Sequence, residues 1–132
     1  MRLAQIDHLA IGFNDPKAAS AWFVRVLGFQ SAYKDVWGDV PLFLRLGTTF
    51  LALFPKNKSA GTTSSGESQS GLFRHLALNA STYGEFEQAQ RELTEQGIAW
   101  RFEDHQIAHS IYFSGPEGIP LEVTTYELKN KV

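Results

Sequence analysis

The chain switches between two hydrophobic periods. QIDHLAIGF, residues 5–13, alternates as a half-buried strand does. Leu9 and Ile11 fall on one face, and Ile6, His8 and Ala10 on the other. The period then lengthens. Asp15-Pro16 predicts a helix start, because Asp caps free backbone N–H groups and Pro suits the first turn. Trp22, Phe23, Val26 and Leu27 recur at helical spacing, and Gly28 supplies the stop. FQSAYKDV, VPLFLRL and TFLALF follow as strand-like runs, with a turn at Gly47.

The same order returns in the second half. FRHLALNA alternates with Leu76 and Leu78 on one face and His75 and Ala77 on the other. Thr82-x-x-Glu85 reads as a capping box. Phe86, Ala89, Gln90 and Leu93 carry the helical period, and Gly97 ends it. IAWRFED, HSIYF, the turn GPEG and IPLEVTTY complete the series. The pattern is βαβββ twice, an internal duplication of a unit too small to bury a core alone. The expected fold class is α+β. Two βαβββ modules form a curved mixed sheet, cupped, with helices on its outer face. The Leu/Ile face of each opening strand then packs on helices, which leaves His8 and His75 to line the concave side.

One low-complexity stretch, KNKSAGTTSSGESQSG at 56–71, separates the halves and reads as a connector or lid. The organisation is a single domain over 1–132, with module one at about 1–57 and module two at about 72–128. That length suffices for one domain with its own core.

Composition narrows the function classes. The net charge is −2, from 12 basic and 14 acidic residues, so no basic surface argues for nucleic acid or an anionic membrane. The absence of cysteine removes disulfides, thiolate metal sites and a cysteine nucleophile. No apolar run reaches the ~18 residues of a membrane helix, and the expected compartment is the cytoplasm.

The chemistry lies in the echo between DHLAIGF and RHLALNA, each opening on a histidine. In IPLEVTTY, Leu121 and Val123 share one face, so Glu122 falls on the other. His8, His75 and Glu122 thus come to one inner surface. Two imidazoles and a carboxylate are the ligand set of a facial triad, which leaves metal positions open. Without thiolate, that set suits Fe, Mn, Co, Ni or Zn.

These residues resemble those of the vicinal oxygen chelate superfamily: glyoxalase I, extradiol dioxygenases, fosfomycin-resistance thiol transferases and bleomycin-resistance proteins. The likeness runs from IDHLAIGF and DPKAASAWFVRVLGF to YFSGPEGIPLEV. It implies one divalent metal on His8, His75 and Glu122, chelating two oxygens of a small-molecule substrate. It also implies a homodimer, with the ligands of one metal drawn from one chain or two.

Within the family the ligand set is dioxygenase-like. Glyoxalase I resemblance would require a fourth ligand where Ala52 stands, so typical glyoxalase I chemistry is not expected. The extradiol pattern is matched by His105, Ile111-Tyr112, Pro116-Glu117-Gly118 and Glu122, and departs at Gly115 and Glu103. The fosfomycin pattern departs at Ala10, and Arg101 is its nearest basic candidate. Bleomycin-binding members generally lack the triad. Tyr112 and Ser110 share a face, and a phenol there can hydrogen-bond a substrate oxygen or transfer a proton. His105 is a second acid or base candidate if its loop folds over the site, while His109 should point away. Phe50 and Phe54 share parity with Ala52 and suggest a partly apolar substrate. The leading expectation is a metal-dependent dioxygenase, lyase or transferase. The alternatives are a non-catalytic drug-binding protein and a fosfomycin-type transferase.

Overall fold

The computed structural model describes residues 1–56 and 72–128. The expected connector, 56–71, lies outside the described residues except for Lys56. The chain divides into two compact units, residues 1–70 and 71–132.

The first unit runs β1 (His8–Phe13), α1 (Pro16–Leu27), β2 (Gln30–Ala32), α2 (Lys34–Trp37), β3 (Leu42–Leu46) and β4 (Thr49–Pro55). Its four strands form a mixed sheet in the order β1-β4-β3-β2. β1 lies parallel to β4, and the other pairs are antiparallel. The second unit runs β5 (Leu76–Asn79), α3 (Tyr83–Glu95), β6 (Arg101–Asp104), β7 (His109–Ser114) and β8 (Pro120–Thr125). Its sheet order is β5-β8-β7-β6, with β5 parallel to β8. The duplicated βαβββ unit is therefore present twice, and each copy hydrogen-bonds its own four-stranded mixed sheet.

The two long helices, α1 and α3, begin where their sequences dictate. The Asp15 side chain accepts from the Ala18 amide, and Pro16 opens α1. Gly28 closes it in the left-handed conformation, at φ 78. No atom would meet a Cβ added there, so Gly28→Ala should cost only backbone strain, about 1 kcal/mol in urea unfolding. At α3, Thr82 accepts from Glu85 N while Glu85 accepts from Thr82 N, completing the capping box. Thr82→Ala should lower unfolding stability by about 1 kcal/mol, read in the same urea titration.

One face of each sheet carries the core. Phe13, Leu42, Leu44, Leu51 and Leu53 are buried together with Ala19, Phe23 and Phe29 in the first unit. Ile111, Phe113, Leu121 and Val123 are buried with Phe86 and Leu93 in the second. Each fully buried large apolar side chain contributes roughly 1.5–3 kcal/mol. The opposite, open faces hold His8 with Ala10, and Ala77 with Glu122, as strand parity predicts.

The segment after Phe29 departs from the sequence reading. FQSAYKDV does not run as one strand. β2 ends at Ala32, Tyr33 turns to φ 57, and Lys34–Trp37 form one helical turn. The run contains Asp35, a residue depleted in strands. GPEG adopts a 3-10 turn over Pro116–Gly118.

Candidate metal centre

The duplication can be tested residue by residue through the strand register. In the second unit Ala77 pairs with Glu122 across β5 and β8. In the first, Ala10 pairs with Ala52 across β1 and β4. His75 and His8 each lie two residues before those alanines, on the same face. Ala52 is thus the positional counterpart of Glu122, and the described first unit offers no carboxylate there.

In the second unit the expected ligands meet. His75 Nε2 lies 2.8 Å from Glu122 Oε1. The carboxylate is nearly buried, with a side-chain exposure of 9%, while the imidazole is 40% exposed. His75 borders a cleft of about 490 Å3, whose walls also include Arg74, Arg101, Glu103 and Tyr112. A carboxylate and an imidazole nitrogen side by side, one fixed by burial and one reachable from solvent, are of the donor types that fit two ligands of a divalent ion. Among the described residues no group of three or more His, Asp or Glu side chains is gathered to hold a metal. His8 belongs to the first unit, where its Nδ1 meets Asp7 Oδ2 at 2.8 Å. A carboxylate on Nδ1 leaves Nε2 available and fixes the ring's tautomer, the usual arrangement behind a ligating histidine.

Tyr112 and His105 come to the same open face. Tyr112 pairs with Glu122 across β7 and β8, and its ring sits edge-on to His75 at 5.7 Å. Its hydroxyl lies 2.9 Å from His105 Nε2, so the His105 side chain reaches back from the β6–β7 turn to the sheet. Burial, then the Glu122 carboxylate and a hydrogen bond to it, push the phenol above its ordinary value, against weaker pulls from Ser110 and Arg101. Tyr112 is thus a neutral hydrogen-bond donor at physiological pH. His105 Nε2 and the phenol oxygen share a hydrogen bond whose donor depends on the imidazole tautomer. Arg101 lies over the Tyr112 ring at 4.8 Å and pairs with Glu103. Ser110 donates to Thr124 at 2.9 Å beneath this row. His109 points the other way, as parity requires, bonding Tyr83 at 2.9 Å.

The first unit's open face is aromatic. Phe50 and Phe54 share it, as the sequence predicts, but the fuller feature was missed. Tyr33, Trp37, Phe43 and Phe50 form a ring cluster, with centroid separations from 5.0 Å for Trp37–Phe43 to 6.0 Å for Tyr33–Phe50. His8 joins it, 5.6 Å from Phe43. The left-handed backbone at Tyr33 costs about 1 kcal/mol for a side chain of that size. What builds this cluster is the turn at Tyr33, at φ 57, which sequence alternation does not encode.

Three comparisons bear on this geometry. The sequence model of the Glyoxalase/Bleomycin resistance protein/Dioxygenase superfamily matches residues 5–123. An uncharacterized Bacillus subtilis protein, YwkD, is 31% identical over 132 residues, covering 93% of this chain and 98% of that one. Among solved structures, lactoylglutathione lyase from Agrobacterium tumefaciens superposes with a TM-score of 0.77 at 19% identity, covering 99% of this chain and 100% of its own. A glyoxalase/dioxygenase from Nostoc punctiforme gives 0.74 at 19% identity, covering 97% and 98%. At those identities the structural likenesses speak for the fold, and the family match adds the lineage. The twice-repeated βαβββ unit, its parallel first-to-last strand pairs and the match over residues 5–123 together show that this chain belongs to the glyoxalase/bleomycin resistance/dioxygenase superfamily.

Proposed function

We propose that this protein is a metal-dependent enzyme whose divalent ion is held by His75 and Glu122, with His8 as the third ligand. The observation that carries this reading is the 2.8 Å approach of His75 Nε2 to the buried Glu122 carboxylate at the edge of a cleft. His8 would reach the metal from the first unit of the same chain or of a second copy in a homodimer. When bound, an ion of the Fe, Mn, Co, Ni or Zn type would supply Lewis acidity toward two neighbouring substrate oxygens.

The chain's own groups have separate tasks. Tyr112, held protonated, faces the cleft beside Glu122. His105 Nε2, on the phenol oxygen, can take up or return a proton through Tyr112. Arg101 and Glu103 fix the neighbouring wall. With Ala52 in place of a fourth ligand, the set favours dioxygenase-like ligation over glyoxalase I ligation. The substrate is then a small, partly apolar molecule with two adjacent oxygens.

The second reading is sequestration of a small molecule without turnover. It is favoured by the absence of a three-residue ligand group among the described residues. Reconstitution with Fe(II), Mn(II), Ni(II), Co(II) and Zn(II) in turn, followed by elemental analysis, separates the two. The expected result is about one tightly held equivalent per chain, with at least ~10-fold weaker retention in His8→Ala. Activity lost on chelation and restored by one of these ions supports the enzyme. No uptake of any ion would overturn this reading and leave sequestration standing.

A further inference from the structure

The two copies of the duplicated unit have diverged on their open faces. At the second unit's β6–β7 connection stand His105 and the polar row of Tyr112 and Glu122. At the first unit's corresponding β2–β3 connection stands the one-turn helix α2, which carries Tyr33 and Trp37 to the sheet. One face offers ligands and proton carriers. The other offers rings.

These rings are not spent on packing. Tyr33 is 50% exposed and Trp37 48%, while each still touches Phe43. Tyr33 is also held in a backbone conformation that a bulky residue avoids. Strain that keeps a half-exposed aromatic ring against Phe43, itself the ring neighbour of His8, points to use rather than to stability. The exposed area identifies the occupant. A half-exposed aromatic side chain leaves on the order of 100 Å2 uncovered. Two of them match one face of a small fused-ring molecule and fall well short of the ~800 Å2 per partner of a stable protein interface.

We infer that Tyr33, Trp37 and Phe43 form a stacking platform for a flat, unsaturated apolar ring of the substrate, beside His8. This deepens the reading above by assigning the substrate's apolar end. It is tested without metal, so that its failure and that of the metal site stay distinct.

EDTA-treated full-length protein is titrated with 2-naphthol and, separately, with its saturated analogue decahydro-2-naphthol. The readout is the indole N–H signal of Trp37 by NMR, identified from a Trp37→Phe variant. The expected result is a saturable shift of the Trp37 signal, with 2-naphthol bound at least about fivefold more tightly than the saturated compound. Tyr33→Gly removes the ring while suiting the left-handed backbone, so it should stay folded and bind 2-naphthol about fivefold more weakly. Equal affinity for the two compounds would overturn the proposal, because a merely greasy surface does not select flatness. So would shifts confined to Trp22 or Trp100. A Trp37 signal that moves with protein concentration alone would assign the platform to a second copy of the chain instead.

Discussion

Glu122→Gln is expected to abolish metal loading and, with it, all turnover. The substitution keeps the volume of a nearly buried side chain. Its amide can still meet His75 and Tyr112, so the fold should persist, with thermal unfolding within a few degrees of wild type. What disappears is the negative charge. Loss of an outer hydrogen-bond partner already weakens metal affinity by about 10–100-fold. Loss of the one anionic ligand in the proposed set should exceed that, so the expected fall is at least ~100-fold in ion affinity, read by calorimetry on the reconstituted protein. Unchanged affinity in Glu122→Gln would sink the assignment of this carboxylate. A variant that no longer folds would show in the unfolding scan, and Glu122→Asp then provides the test, since it keeps the charge and shortens the reach.

Gly115→Asp is expected to cost far more stability than the loss of either helix cap. It would bring the chain closer to the extradiol pattern, which has an aspartate at this position. The surroundings forbid it. A Cβ on Gly115 would lie 2.6 Å from Leu121 Cδ1 and 2.9 Å from Ile119 Cγ2. Leu121 is 1% exposed and Ile119 8%, so neither methyl has room to retreat. Overpacking of this kind costs typically 1–3 kcal/mol, and a carboxylate pressed against apolar carbon adds a desolvation penalty. The expected loss is about 3 kcal/mol in urea unfolding, with Gly115→Ala at about half of that. A Gly115→Asp protein as stable as wild type would mean that Leu121 repacks freely. The glycine at this residue is thus required by packing against Leu121, the neighbour of Glu122.

Much of this was legible in the sequence for a simple reason. Period-2 alternation places His8, Ala10, Ala77, Glu122 and Tyr112 without any tertiary knowledge, and the register across β1–β4 and β5–β8 agrees residue by residue. The caps were equally readable, because Asp15, Gly28 and Thr82 act on their own neighbours. What escaped was non-local or conformationally unusual. Nothing in YKDVW announces that a tyrosine will take a positive φ, so the sequence pattern carries FQSAYKDV on as a strand where the chain turns into α2. The hydrogen bond from His105 to Tyr112 depends on how a four-residue loop folds back, with Gln106 at φ 73, which alternation does not encode.

The sheet order in the second unit carries one more consequence. β8 is an inner strand, hydrogen-bonded on both sides, whereas β5 lies at the sheet's edge and His75 precedes it. On the metal reading, one ligand is anchored and the other compliant. Exchanging an ion for one of larger radius would then be absorbed almost wholly by the backbone around Arg74 and His75, with Glu122 acting as the fixed jaw. Such a centre tolerates several ions in binding while holding the substrate against one unchanging wall, so selectivity for the working metal would come from reactivity rather than from fit.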